Sequence, residues 1–131
     1  MTEKPKVLVV DNESLHLSVI VELLGDDYVV VVAKNGEKAL QIARSDSPPA
    51  LILLDVLMPG MDGYEVCRSL KADRLTRNIP VIFLTVKSDV NDETLGFDLG
   101  AVDYISKPFS PPIVRARVAT HLALKMANDD L

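Results

Sequence analysis

Four short apolar runs punctuate the chain: Val7–Val10, Val29–Val32, Leu51–Leu54 and Val81–Leu84. Each is bounded by polar or turn-forming residues, and none alternates apolar with polar. Continuous runs of this length predict strands buried on both faces, the pattern of a parallel sheet. A weaker fifth strand is expected at Asp103–Ser106. Between the strands the apolar residues recur at helical spacing. Val19, Ile20, Leu23 and Leu24 share a face that ends near Gly25, and Ala39, Leu40 and Ala43 share one that ends before Pro48 and Pro49. Val66, Cys67 and Leu70 mark a third helix, and Leu95 and Leu99 a fourth before Gly100. A last helix runs from about Pro112, with Val114, Val118, Leu122 and Met126 at i, i+4 spacing.

Strand–helix alternation repeated five times predicts an open, doubly wound α/β fold, a parallel sheet with helices on both faces. No repeat, low-complexity tract or Gly/Ser linker divides the 131 residues. They read as one domain over 6–125, with a frayed lead-in at 1–5 and the end of the last helix at 126–131. A domain of this size needs no metal or disulfide to fold. Its lone cysteine, Cys67, excludes an internal disulfide and a cysteine-based zinc cluster.

The 14 Lys and Arg against 19 Asp and Glu give a net charge of −5. Direct nucleic-acid binding, which needs clustered excess cations, is therefore not expected. No apolar run approaches the length of a membrane span, and the N-terminus lacks a signal-peptide core. The expectation is a soluble cytoplasmic domain without a membrane role.

Ligands of open α/β sheets bind beyond the carboxyl ends of the strands, so the residues that follow each apolar run carry the information. The first run ends in Asp11-Asn12-Glu13, the third in Asp55, the fourth in Thr85 and the fifth in Ser106-Lys107-Pro108. The second ends in Ala33 and adds nothing reactive, which suits a strand at the sheet's periphery. Taken singly, each of these residues has an ordinary reading: a helix cap, a β-branched strand residue, a solvated lysine. Together they collect carboxylates, a hydroxyl and an ammonium at one edge. Crowded carboxylates call for a divalent cation, and magnesium takes one or two of them while holding phosphate oxygens. Lysine supplies a point charge for a phosphoryl group, and a carboxylate can itself form an aspartyl phosphate. The set suits phosphoryl transfer onto an Asp better than hydrolysis of carbohydrate or peptide.

The strings Val-Leu-Val-Val-Asp-Asn-Glu-Ser, Leu-Leu-Asp-Val-Leu-Met-Pro-Gly-Met-Asp-Gly, Ile-Phe-Leu-Thr-Val and Gly-Ala-Val-Asp-Tyr-Ile-Ser-Lys-Pro-Phe resemble receiver domains of bacterial two-component response regulators. The resemblance runs from about Lys6 to His121. It implies a flavodoxin-like fold with five helices and the strand order 2-1-3-4-5. It further implies that Asp55 accepts a phosphoryl group from a sensor histidine kinase or a histidine phosphotransfer protein. Mg²⁺ (or Mn²⁺) would be held by Asp11, Asn12, Asp55 and the backbone carbonyl of Leu57. Thr85 matches the switch hydroxyl, Lys107 the phosphate-contacting lysine and Tyr104 the aromatic that moves inward when Thr85 shifts. The Lys107–Pro108 bond is expected to be cis. Asn12 departs from the family, which usually has an acid there, and a neutral amide ligand implies weaker metal binding.

The resemblance also implies an output face formed by the fourth helix, fifth strand and last helix, through which such domains dimerise or contact an output domain. Arg115, Arg117, Asp98 and Lys87 are candidates for its ion pairs. The C-terminal stretch is similar to receiver termini that continue into cyclic-dinucleotide enzymes or sensor kinases, so a longer parent protein is expected. A single-domain regulator acting by protein contact is the competing reading. Leu57 and Lys87 are expected to flank the line of attack on phosphorus, with Leu57 shielding the acyl phosphate. Val86, bulkier than the family's usual Ala or Ser, is expected to narrow access.

Cys67 reads as a packed core residue, and His16 as partly buried at the site rim without a metal role. Gly60 and Gly63 are expected to supply backbone freedom, and Asp62 with Gly63 to open the third helix. A flavodoxin-like cofactor-binding domain would want an aromatic or Gly-rich loop, against 5% aromatic content. An Asp-nucleophile phosphatase would want a second Asp two residues on, where Leu57 stands.

Overall fold

The structure, a computed structural model, describes residues 3–86 and 95–129. Five strands, β1 (Lys6–Val10), β2 (Val29–Ala33), β3 (Leu51–Asp55), β4 (Val81–Thr85) and β5 (Asp103–Ser106), form one sheet. Every pair is parallel and the order is β2-β1-β3-β4-β5. The helices are α1 (Ser14–Leu24), α2 (Gly36–Ala43), α3 (Gly63–Ala72), helical residues 95–98 (α4) and α5 (Pro111–Asp129). The doubly wound α/β fold expected from the strand–helix alternation, and the flavodoxin-like strand order 2-1-3-4-5 implied by the resemblance, are the fold observed.

Because strand side chains alternate with period two, the apolar runs divide between two cores. Leu8, Val10, Ile52, Leu54, Val81 and Phe83 face α2 and α3, where they meet Ala39, Leu40, Ala43, Val66, Cys67 and Leu70. Val7, Val9, Leu51, Leu53, Ile82, Leu84 and Ile105 face α1 and α5, and meet Leu17, Ile20, Leu24, Val114, Val118 and Leu122. Cys67 is fully buried, as its helical position suggested, and burial pushes its thiol pKa up.

Three local expectations change. Val29 and Val32 of β2 are 47% and 42% exposed, because β2 is an edge strand whose outer side pairs with no strand among the described residues. In α1 the buried stripe is Leu17, Ile20 and Leu24, while Val19 turns outward. On α5, Val114, Val118 and Leu122 are buried but Met126 is exposed. The roughly twelve residue-to-residue steps of helix from Val114 to Met126 span about 18 Å, more than the roughly 13–17 Å of a five-residue strand, so the stripe outruns the sheet.

The third helix opens as expected: Asp62 is its N-cap, and its carboxylate accepts from the Glu65 N–H at 2.9 Å. Gly60 has φ +75°, a left-handed conformation that favours glycine. Gly63 needs no such freedom. It is buried where α3 starts against the end of β3, and a Cβ there would lie 2.2 Å from the Asp55 carbonyl oxygen and 2.8 Å from the Val56 Cα. Both obstacles are backbone, so the cost cannot be relieved by a rotamer change. Gly63→Ala is expected to destabilise the fold by about 2–3 kcal/mol, read as a lower urea midpoint with an unchanged slope.

Candidate functional site

The sheet order puts β1 and β3 side by side at its centre, with Val10 opposite Leu54. Asp11 and Asp55, each one residue further on, therefore emerge together at the carboxyl edge. Beyond β3 the pairing climbs: Asp55 is opposite Leu84 and Thr85 opposite Ser106. Thr85 and Lys107 thus rise above the acids on the adjacent strands. The Lys107 N–H donates to the Thr85 carbonyl at 2.6 Å, and the Lys107–Pro108 bond is cis as expected.

Asp11 is fully buried and Asp55 is 4% exposed. The Lys107 ammonium lies 2.9 Å from Asp11 Oδ2 and 3.1 Å from Asp55 Oδ1, bridging the two. Asp11 Oδ1 also accepts from the Glu13 N–H at 2.9 Å, and Asp55 Oδ1 from the Leu57 N–H at 3.3 Å. At an effective dielectric near 20, a charge contact of about 3 Å is worth roughly 5 kcal/mol, attractive or repulsive. One ammonium can offset the repulsion between two carboxylates, but the trio keeps an excess negative charge. Burial, and after it the charge of Asp11, push the Asp55 pKa up; Lys107 and the Leu57 N–H offset this only in part.

The other expected residues differ in exposure. Asn12 and Leu57 are exposed at the rim, Leu57 by 72%, and Val86 is exposed as well. Thr85 is half-buried at the end of β4. Tyr104 is buried against Phe83 and Phe97, with ring centroids 5.8 Å and 5.2 Å away. Lys87 lies outside the described residues. Among the described residues no three His, Cys, Asp or Glu side chains form a metal-binding group. Two carboxylates still fit Mg²⁺, which keeps most of its coordination sphere as water.

His16 is closer to the chemistry than a rim residue. Its Nδ1 is 3.0 Å from Asp11 Oδ2, its Nε2 is 3.4 Å from Glu13 Oε2, and its ring meets Phe109 edge-on at 5.8 Å. The signal was its position in the first helical turn directly after Asp11, where the helix folds back over the strand end. A second cluster went unread: Asp103 Oδ2 is 2.9 Å from His121 Nε2 and 3.8 Å from Arg117 Nε. Of the proposed ion-pairing residues, Arg117 finds its partner on β5.

The upward push on Asp55 fixes the sign of a pH effect. A folded carboxyl whose pKa lies above its unfolded value binds the proton more tightly in the native state. Stability therefore rises as pH falls from the folded pKa toward the unfolded one, and the cost of the charge is fully present above both. Asp55→Asn, neutral throughout, is expected to melt a few degrees above the native chain at pH 7. Melting curves across pH should show that advantage shrinking as the medium is made acidic.

Residues 7–119 match the family model for the response regulator receiver domain. A "Probable cyclic di-GMP phosphodiesterase" of Vibrio cholerae serotype O1 is 45% identical over 125 residues, covering 95% of this chain and 28% of that protein. Across eight curated relatives this chain spans 28–55% of their length. Response regulator DrrB of Thermotoga maritima superposes with a TM-score of 0.83 at 35% identity, over 94% of this chain and 54% of that one. The receiver domain of sensor histidine kinase PA1611 of Pseudomonas aeruginosa, which has a magnesium ion coordinated in its active-site cleft, gives 0.84 at 25% identity, over 92% and 99%. No helix of the described residues is long and apolar enough to cross a membrane. A parallel 2-1-3-4-5 sheet carrying a lysine-bridged acid pair at its carboxyl edge, matched along nearly its whole length, places the chain in the family of response regulator receiver domains, the signalling modules of two-component systems.

Proposed function

We propose that this domain is a cytoplasmic phosphoacceptor whose Asp55 takes a phosphoryl group from a histidine of a sensor kinase or phosphotransfer protein. The observation that carries the reading is the Lys107 ammonium bridging two buried carboxylates at the carboxyl edge of the sheet. An Asp55 oxygen attacks phosphorus, the new O–P bond forms as the P–N bond breaks, and the electron pair stays on the donor imidazole. Asp55 gives up negative charge on its attacking oxygen and gains a phosphoryl dianion. Lys107 is already within contact distance and exchanges a carboxylate partner for phosphoryl oxygens. The Thr85 hydroxyl, one strand away, donates to another of those oxygens.

Asp11, Asp55, the Leu57 carbonyl and the Asn12 amide oxygen would hold Mg²⁺ or Mn²⁺, which supplies positive charge to the phosphoryl oxygens when bound. The PA1611 receiver, with magnesium in the corresponding cleft, supports this assignment. The domain on this reading is a switch rather than an independent enzyme. Movement of Thr85 toward the phosphoryl group and of Tyr104 behind it changes the face formed by α4, β5 and α5. That face serves a homodimer or an output domain. The Vibrio relative supports an output of the cyclic-dinucleotide class.

Incubation with Mg²⁺ and acetyl phosphate, followed by intact mass, is expected to show one added phosphoryl group, absent in Asp55→Asn. No adduct from either acetyl phosphate or a histidine kinase overturns the reading. Asn12→Asp adds a charged ligand at the rim and is expected to tighten Mg²⁺ binding roughly tenfold. Calorimetric titration of both proteins measures it, and equal affinities would remove Asn12 from the ligand set.

A further inference from the structure

Gly96, in α4, is buried, although Leu95, Phe97 and Asp98 on either side of it are exposed. Its φ is not positive, so no backbone constraint calls for glycine, and glycine is a poor helix former. The reason lies in what it faces. A Cβ at position 96 would come 1.9 Å from the Tyr104 hydroxyl oxygen, 2.8 Å from the ring carbon that bears it and 3.0 Å from Phe83 Cδ2. The buried ring of Tyr104 occupies the space that only a hydrogen atom leaves open.

The ring has little room to yield while it stays inside. Phe83 backs it, is itself fully buried and is braced edge-on by Tyr64 at 5.3 Å. The Tyr104 backbone is held in the β4–β5 ladder, its N–H donates to Asp103 Oδ1 at 2.8 Å and its carbonyl accepts from Arg117. Relief of a clash at position 96 therefore has two routes: rotation of the Tyr104 ring outward, or displacement of α4. Both alter the α4–β5–α5 face.

We infer that Gly96 is a positioning residue of the switch: its missing side chain is the notch that seats the Tyr104 ring, and filling the notch expels the ring and uncouples it from events at Asp55. This rests on the reading of Tyr104 as the aromatic member of the switch. The notch itself is tested independently of that reading. A requirement for small size at position 96 also explains why a helix carries glycine where alanine would stabilise it.

The experiment is a double-mutant cycle on the full chain with Gly96→Ala, Tyr104→Ala and the pair. Gly96→Ala alone is expected to lower the melting temperature by several degrees. In the Tyr104→Ala background the same change is expected to raise it, since the clash is gone and alanine is the better helix former. Acrylamide quenching and NMR of ring-labelled tyrosine are expected to show Tyr104 protected in the native chain and solvent-exposed in Gly96→Ala. Phosphoryl uptake by Gly96→Ala from acetyl phosphate should stay within about twofold of native, while the response of the Tyr104 signal to phosphorylation is lost. Equal melting shifts in the two backgrounds overturn the notch, and a Tyr104 ring that stays protected in Gly96→Ala overturns the expulsion of the ring. An intact Tyr104 response in phosphorylated Gly96→Ala overturns its part in the switch. Failure of native chain and variant alike to take up phosphate overturns the phosphoacceptor reading instead, and leaves the melting cycle and quenching as the test of the notch.

Discussion

Lys107 holds two carboxylates together in a pocket from which water is nearly excluded. Asp11 and Asp55 repel each other at the centre of the sheet's carboxyl edge, and the ammonium between them makes that arrangement tolerable. The lysine leaves β5, two strands from β3, a separation of about 10 Å. A short side chain could not cross it. The register makes the reach possible, because each step from β3 to β5 carries the strand end further beyond the acids. The bridge is incomplete in charge: burial first, and after it the charge of Asp11, make Asp55 reluctant to stay ionised, and Lys107 offsets this only in part.

Close approaches of backbone and ring set the geometry around that bridge. Gly63 lets α3 start against the carbonyl of Asp55, so that residue is pinned by a helix packed directly on it. Gly96 makes a comparable allowance on the other side of β4, for Tyr104. These two glycines share a physical reason, the absence of a Cβ, that differs from the conformational one at Gly60. His16 adds a further restraint, since it ties Asp11 to the first turn of α1 and to Phe109, two residues past Lys107.

Much of the architecture was legible because period and run length are local properties. Four continuous apolar runs and the helical stripes between them place the elements, and the acids, hydroxyl and lysine at the run ends follow from that placement. Expectation and structure part where burial depends on neighbours. Val29 and Val32 read as core but lie on an edge strand, and Met126 continues a stripe past the end of the sheet it would cover. Gly63 read as a flexible residue and is a contact residue. The sequence puts His16 near the site but carries no sign of its bond to Asp11, because helical spacing specifies a face and not the rotamer that aims a ring at a carboxylate.

The amino-acid pattern alone thus settles the class of fold, the edge at which chemistry collects and the identity of its acids and its ammonium, since each follows from residue type and position along the chain. Whether Lys107 meets both acids, whether Tyr104 is buried, and why positions 63 and 96 must be glycine were decided only in three dimensions. Those properties come from contacts between packed elements, some of them far apart in sequence: Lys107 meets acids 52 and 96 positions away, strand order brings Asp11 beside Asp55, and helix packing brings Gly96 against Tyr104. A linear pattern carries no distance between such partners, and it is distance that brings two acids and a lysine into one cluster and seats a ring against a glycine.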